Sequence, residues 1–231
     1  FSDLVEVNPR RGAVGLRSDD YVSFIPMQDV LEGGAWSERQ CRRYREVSFG
    51  FPSFVEGDVL FAKITPCMEN GKGCHAVGLI NGIGFGSTEF HVLRPKASAV
   101  GRFVFHLSQS SSVRKKAEAF MVGSAGQQRV QPDFFDHFKV PDLSRKDQYR
   151  IAEVLDAIDK AIEDVDQLVA KLKRLRQGLI HDLLTRGLDA DGTPIKSVTY
   201  NAITSQVTAG PCAAAGPNPL IGFPTSTLTS L

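Results

Sequence analysis

The longest run of helix-forming residues in this chain begins after Ser144 and ends at Arg186, before Gly187. Ser144 and Asp147 have the spacing of a capping box, with Asp in place of the usual Glu. A helix of about 40 residues is roughly 60 Å long. A domain of about 140 residues has a radius of gyration of about 14 Å, so it cannot cover the whole of such a helix. We therefore expect part of the helix to meet another helix; the alternative is an amphipathic helix folded back on its own domain.

Apolar residues recur along this helix in alternating steps of four and three, which is the 3.5-residue period of a coiled coil. They are Ile151, Leu155, Ile158, Ile162, Val165, Val169, Leu172, Leu179 and Leu183, with Arg176 as the polar residue in the row. A second row, formed by Val154, Ala161, Leu168 and Leu175, widens the apolar stripe. The pattern predicts a helix that binds a partner helix.

Charge divides the same helix into two halves, although the formal net charge of the chain is only +1. Residues 147–166 carry seven acidic and two basic side chains, and residues 167–187 carry five basic side chains and one acidic. This order suits the helix macrodipole. It also makes the helix complementary to an antiparallel copy of itself, whereas a parallel copy would oppose like charges. We expect a homodimer through an antiparallel helix pair.

The preceding residues, 1–143, alternate short β-like runs with turn residues before two helical stretches. The predicted strands are Tyr21–Ile25, Val59–Thr65, Cys74–Ile80 and Thr88–Leu93, and the predicted helices are Val100–Ser108 and Val113–Met121. The order predicts an α+β fold with a twisted, mostly antiparallel sheet. Three regions follow: a domain over 1–143, the helix over 144–187, and a tail over 188–231 whose Ala, Gly, Pro, Ser and Thr content predicts disorder.

The motifs of several catalytic classes are missing from the sequence. None of the eleven lysines has Asp or Glu two positions earlier, as the commonest metal-dependent nucleases require. The stretch Gly82–Gly86 lies between predicted strands, which favours a hairpin turn over a phosphate-binding loop, and no G-x-x-x-x-G-K-[ST] motif occurs. No two cysteines have C-x-x-C spacing. We therefore predict no catalytic residue, no metal site and no cofactor, and with no apolar run of membrane-spanning length we expect a cytoplasmic protein.

Polar and cationic side chains in three segments are candidates for DNA contact. Arginine can bind guanine edges or phosphates, and glutamine can bind adenine. The candidates are Arg39, Arg42, Arg43 and Arg45 in a segment that reads as a loop, Lys63, Thr65 and Lys72 around a Gly-flanked turn, and Gln127, Gln128 and Arg129 in a second polar loop. A solvated basic surface is the alternative reading of the arginine segment.

Several stretches together resemble the specificity subunits of type I restriction–modification systems. The stretches are Gly57–Lys72, Gly86–Arg94 with its Gly-Ser-Thr-Glu-Phe start, Gly123–Val130, Phe138–Pro141 followed by Gln148, Ile151, Ala152, Leu155 and Asp156, and Leu183–Gly187. They occur in the order of the family and cover about residues 1–190. The Ser-Thr-Glu-Phe sequence after a glycine is the most specific of these elements.

The resemblance implies a non-catalytic subunit whose residues 1–143 form a target-recognition domain for one half of a bipartite DNA site. The helix then corresponds to the spacer helix of the family, which pairs antiparallel with a second helix and docks methyltransferase subunits. Restriction subunits join through the complex. S-adenosylmethionine, Mg²⁺ and ATP are expected to be bound by those partner subunits. Among the motif residues, Asp58, Gly86, Ser87 and Glu89 are expected to be scaffold rather than base readers.

Members of that family have two recognition domains and two helices in tandem, whereas this chain has one of each. It is therefore expected to be a half-subunit that homodimerises or an amino-terminal fragment. A homodimer would be two-fold symmetric and would read a palindromic bipartite target. The remaining alternatives are a stand-alone or fused restriction endonuclease with an unfamiliar active site and a coiled-coil scaffold without DNA binding.

Overall fold

A computed structural model describes residues 1–10, 15–124, 126–186 and 192 of the chain. They form two compact units, whose described parts are residues 1–10, 15–124 and 126–152 in the first and 153–186 and 192 in the second. The tail predicted over 188–231 lies outside the described residues, apart from Gly192. Among the described helices, none combines the length and apolarity that crossing a bilayer requires.

The described residues form ten strands and five α-helices. The strands are β1 (Val5–Val7), β2 (Tyr21–Ile25), β3 (Gln40–Arg43), β4 (Ser53–Val55), β5 (Val59–Ala62), β6 (Gly73–His75), β7 (Ile83–Gly86), β8 (Phe90–Pro95), β9 (Met121–Val122) and β10 (Arg129–Val130). The helices are α1 (Tyr44–Val47), α2 (Gly101–Gln109), α3 (Ser111–Ala119), α4 (Phe134–His137) and α5 (Arg145–Arg186).

The first sheet has the strand order β1-β8-β5-β6, and all its neighbouring strands are antiparallel. Strand β5 is buried along its whole length because both of its faces are covered. Val59 and Phe61 belong to the core formed with residues of α2, α3 and α4, whereas Leu60 and Ala62 belong to a second core formed with residues of the other sheet. This division follows from the alternation of side chains along a strand.

The second sheet has the order β3-β2-β7-β4, in which β2 and β7 are parallel and the other pairs antiparallel. The prediction of a hairpin turn over Gly82–Gly86 is therefore wrong, because residues 83–86 form strand β7, which has a partner strand on each side. A Cβ atom on Gly84 would lie 2.1 Å from the Phe54 ring, and one on Gly86 would lie 2.6 Å from the carbonyl oxygen of Ile25. Glycine at both positions is thus required by close approach within the sheet, not by a turn.

The arginine segment is also not a loop, which corrects the sequence reading of Trp36–Arg45. Residues Gln40–Arg43 form β3, which pairs with β2 at the edge of the second sheet, and the short helix α1 follows at once. Edge strands tolerate charged side chains because one of their sides faces solvent, and such residues protect the edge from pairing with another chain. Because this edge strand carries charged side chains, its composition resembles that of a loop, and the sequence alone suggested one.

Helix α5 spans 42 residues, which corresponds to a length of about 63 Å. The Ser144 hydroxyl oxygen accepts a hydrogen bond from the backbone N–H of Asp147 at 3.2 Å, as the capping-box spacing predicts. Gln148 is buried in the first unit, where its side-chain N–H groups donate to the carbonyls of Ser98 and Leu143 and its oxygen accepts from Val100 N–H. The first turns of α5 are therefore part of the first unit.

In the second unit, the predicted apolar row of α5 is largely exposed to solvent. Ile158, Ile162, Val165, Leu172 and Leu179 each have at least half of their surface accessible.

The predicted fold class is confirmed: largely antiparallel sheets with short helices precede a single long helix.

Candidate nucleic-acid interface

The ten candidate DNA-contacting residues lie in two clusters and one separate position. We call the first cluster the arginine strand; it comprises Arg39, Arg42, Arg43 and Arg45, on and around β3 and α1. We call the second the hairpin cluster; it comprises Lys63, Thr65, Gln127, Gln128 and Arg129. Lys72 has its own contact, since its Nζ donates to the carbonyl of Met27 at 3.3 Å.

Asp19 organises one end of the arginine strand. Its carboxylate accepts hydrogen bonds from Arg43 at 2.9 Å and from Arg45 at 2.8 Å, and all three side chains are substantially exposed. The hydrogen bond from the guanidinium to Asp19 raises the pKa of Arg43 above its ordinary value. The backbone supports this arrangement, because Arg45 N–H donates to the carbonyl of Ser18 at 3.0 Å. Two of the four arginines therefore share one carboxylate, which partly neutralises them.

Aromatic rings lie under three guanidinium groups of the arginine strand. Arg39 lies over the Trp36 ring at 4.2 Å and also donates to the Val77 carbonyl at 2.7 Å. Arg42 lies over the Phe24 ring at 5.6 Å, and Arg43 lies over Tyr21 at 5.9 Å. Such cation–π contacts restrain a guanidinium without consuming all of its N–H donors. Arg42 is exposed and donates a long hydrogen bond of 3.4 Å to the side-chain oxygen of Gln40.

Backbone pairing brings the two segments of the hairpin cluster together. Ile64 bridges Arg129 in an antiparallel pair, Thr65 N–H donates to the Gln128 carbonyl at 3.0 Å, and Val130 N–H donates to the Lys63 carbonyl at 2.9 Å. The Thr65 hydroxyl donates to Glu69. The polar loop before β10 is therefore held against the end of β5.

An ion pair between Arg129 and Glu89 closes the hairpin cluster. Arg129 donates from Nε and from a terminal nitrogen to the two carboxylate oxygens, each at 2.9 Å. These hydrogen bonds lower the pKa of Glu89 and raise that of Arg129. Arg129 therefore joins β10 to the start of β8, and the geometry places its guanidinium on a protein carboxylate. Gln127 is exposed, and Gln128 is half-buried beside it.

Sequence reasoning missed the acidic partners of these arginines. Asp19 lies 24 residues before Arg43, and Glu89 lies 40 residues before Arg129, so neither pair has a local signature. The resemblance did identify Glu89 as a scaffold residue, and its contact with Arg129 agrees with that role. The pairing of β2 with β3 could have suggested Asp19, because Asp19 lies two residues before Tyr21, and Tyr21 pairs with Arg43.

Two proteins from Escherichia coli are among the relatives to which this chain is similar. The specificity subunit of the type I restriction enzyme EcoAI from Escherichia coli is 34% identical over 201 residues, which cover 86% of this chain and 33% of the relative. The specificity subunit of the type I restriction enzyme EcoEI, also from Escherichia coli, is 31% identical over 194 residues, which cover 82% of this chain and 32% of that relative. No protein-family model matches the chain.

A solved structure shares the fold. The crystal structure of the HsdS subunit from Thermoanaerobacter tengcongensis superposes with a TM-score of 0.55 at 19% identity, covering 70% of this chain and 41% of that chain. The present chain spans about one third of the length of the curated relatives it matches. The resemblance predicted from the motifs is confirmed: this chain is similar to the specificity subunits of type I restriction enzymes over about one third of their length.

Proposed function

We propose that this chain recognises duplex DNA in a sequence-specific manner as part of a type I restriction–modification complex, and reads one half of a bipartite target. The observation that carries the proposal is the similarity of 86% of the chain to a type I specificity subunit, at 34% identity. The chain itself is proposed to be non-catalytic. S-adenosylmethionine, Mg²⁺ and ATP are expected on partner subunits.

The arginine strand is proposed to supply most of the contacts with the DNA backbone. Arg42 is the strongest candidate for such a contact, because it is exposed and forms no ion pair within the described part of the chain. Arg43 and Arg45 can reach phosphates only in competition with Asp19. In the hairpin cluster, Gln127 offers an exposed amide that can contact a base edge. Arg129 is proposed to hold the loop in place through its ion pair with Glu89.

Helix α5 is proposed to pair antiparallel with the helix of a second copy and to dock methyltransferase subunits, through which restriction subunits join. Its exposed apolar row and its division into an acidic and a basic half support antiparallel pairing. A two-fold dimer would present two recognition domains in opposite directions, so its target would be palindromic and bipartite.

Salt dependence of DNA binding tests the proposal. Neutralising Z phosphates gives a slope of about −0.9 Z when the logarithm of the association constant is plotted against the logarithm of salt concentration. We expect the whole chain to bind mixed-sequence duplexes with a steep negative slope, and Arg42→Ala to reduce that slope by about one. Lys160→Ala is the matched control, because Lys160 is an exposed cation on α5 paired with Asp164.

Three outcomes would contradict the proposal in different ways. An affinity that does not change between low and moderate salt would exclude phosphate contacts as its source. Cleavage of DNA by the pure chain with Mg²⁺ would make the chain an endonuclease. Absence of DNA binding together with retained self-association would leave a coiled-coil scaffold, which the exposed apolar row of α5 would then explain.

A further inference from the structure

A turn between α1 and β4 exposes a phenylalanine that no part of the proposed function has used. We call residues Ser48–Pro52 the Phe49 turn. Phe49 is 93% exposed and Phe51 is 40% exposed, and between them Gly50 has a φ angle of +85°. Glycine adopts this left-handed conformation without a steric penalty, so it allows the chain to turn sharply between the two rings.

The base of the Phe49 turn is fixed in the fold although its apex is exposed. Val47 is buried immediately before the turn, and Ser48 N–H donates to the carbonyl of Tyr44 at 2.8 Å. After the apex, the carbonyl of Pro52 accepts from Gly86 N–H at 3.3 Å. The Phe49 ring is therefore presented by a turn whose two ends are both attached to the second sheet and α1.

The turn continues into the arginine strand. The Phe51 ring packs edge-to-face on the Phe24 ring with centroids 5.1 Å apart, and Arg42 lies over that same Phe24 ring at 5.6 Å. Arg45 belongs to the helix that leads into the turn. The surface thus combines one fully exposed ring with a half-buried aromatic base and nearby guanidinium groups.

Duplex DNA fits this surface better than a protein partner does. A stable protein interface buries about 800 Å² on each side, whereas a single phenylalanine contributes about 200 Å². An isolated apolar side chain next to cations is instead what minor-groove proteins insert between base steps, while arginine and lysine neutralise the adjacent phosphates. Such insertion costs least at flexible pyrimidine–purine steps, which makes the contact sequence-dependent.

We propose that Phe49 is a specificity-determining wedge that inserts at one base step of the DNA target, with Arg42 and Arg45 contacting phosphates beside it. This inference rests on the proposed function, because it requires DNA binding. It adds a mode of reading that needs no hydrogen bond to a base edge. The proposed site is distinct from the exposed amide of Gln127 in the hairpin cluster.

The test begins with the whole chain and a pool of duplexes randomised over the length of a binding site, from which bound molecules are recovered and sequenced. The fluorescent base 2-aminopurine is then placed at successive positions of the recovered site. We expect its fluorescence to rise on binding at one step, because unstacking removes quenching there. With Phe49→Ala the rise at that step should disappear, and affinity should fall about tenfold.

Matched variants separate the wedge from general effects. Phe49→Trp keeps a large ring and should retain the fluorescence rise. Val122→Ala removes another exposed apolar side chain and should change neither the affinity nor the fluorescence pattern. Because Phe49 is almost fully exposed, Phe49→Ala should leave the thermal unfolding midpoint unchanged. The salt slope should also stay constant, since no phosphate contact is removed.

The outcomes distinguish the wedge from the proposed function itself. If the wild type binds DNA with a steep salt slope but Phe49→Ala keeps its affinity, base preferences and fluorescence pattern, the wedge is refuted and DNA recognition stands. If Phe49→Ala instead loses binding only to a methyltransferase subunit, the ring is a protein contact and the wedge is likewise refuted. If the wild type recovers no duplex, both proposals fail.

Discussion

Among the charged residues that the structure describes, Asp58 is the least exposed to solvent. It is 1% exposed, its two carboxylate oxygens accept from Arg94 at 2.9 and 2.8 Å, and one of them also accepts from Val55 N–H. The hydrogen bonds to Asp58 raise the pKa of Arg94. The side chain therefore joins the turn before β5 to strand β8, in agreement with its expected scaffold role.

Replacing Asp58 tests that role. Asp58→Asn keeps the size of the side chain but removes the negative charge opposite Arg94, so we expect the free energy of unfolding to fall by about 2 kcal/mol. Chemical denaturation measures this loss. Asp164→Asn, in the exposed pair with Lys160, is the control and should cost less than about 0.5 kcal/mol. Equal losses from the two variants would contradict the assignment.

His91 is buried and held as a neutral ring by two hydrogen-bond partners. Its Nε2 lies 2.8 Å from the Val130 carbonyl oxygen, which can only accept, and its Nδ1 lies 3.0 Å from the amide nitrogen of Asn8. The ring therefore donates from Nε2 and accepts at Nδ1. Burial lowers the pKa of His91 to about 4, with Lys63 also lowering it and Glu89 and the Val130 hydrogen bond opposing.

This depressed pKa predicts a specific dependence of stability on pH. In the unfolded chain the ordinary pKa of histidine is about 6.5, so between pH 4 and 6.5 the unfolded state binds more protons than the folded state. Neutral His91 therefore makes its full contribution to the free energy of unfolding above about pH 6.5. This contribution, up to about 3 kcal/mol, is lost as pH falls towards 4. Unfolding free energies of wild type and His91→Gln, compared from pH 4 to 8, isolate this contribution. Parallel pH curves for the two proteins would exclude it.

At the scale of the element, β7 shows how glycine is used inside a sheet. Gly86 lies against the backbone carbonyl of Ile25, which cannot rotate away as a side chain can. We expect Gly86→Ala to lower the free energy of unfolding by at least about 2 kcal/mol, because β2 and β7 must separate to accept a methyl group. The measurement is chemical denaturation. Gly15→Ala is the control, since a Cβ there meets no atom of the other described residues within 4 Å, and the free energy of unfolding should stay within about 0.5 kcal/mol. An unchanged free energy of unfolding in Gly86→Ala would show that β2 and β7 can separate at little cost.

Strand prediction succeeded best where turn-forming residues bound the run on both sides, as Asp20 and Pro26 do. Tyr21–Ile25 was predicted with its observed bounds, whereas the strands predicted to Thr65 and Ile80 end earlier, at Ala62 and His75. Strand ends depend on where the neighbouring strand stops, and this information is not local. Strand β4 has three residues and β7 has two glycines, so neither has a recognisable pattern without its partners.

At the scale of the whole molecule, the apolar row of α5 predicts self-association. Leu172 is 54% exposed on this helix, so Leu172→Asp should not disturb the first unit but should place a charge in the proposed helix pair. We expect light scattering to give a dimer for the wild type and a monomer for Leu172→Asp. Gln167→Asp is the matched control, because Gln167 is exposed and lies outside the apolar row, and it should remain dimeric. A dimeric Leu172→Asp variant would place the contact elsewhere.

The sequence by itself determined the long helix, its cap, its apolar row and its division of charge. These properties arise from interactions within a few residues, so spacing along the chain is sufficient to read them. The motifs also determined the family resemblance, and they identified Asp58, Gly86 and Glu89 as scaffold residues before any contact was known.

Only the tertiary structure decided what the candidate DNA-contacting residues touch. It placed Arg43 and Arg45 on Asp19, Arg129 on Glu89 and Lys72 on a backbone carbonyl, and it left Arg42 exposed. These contacts depend on strand pairing between residues far apart in the chain, so neither spacing nor composition could predict them. The exposed ring of Phe49 depends on the same pairing, because its turn is held between α1 and the second sheet.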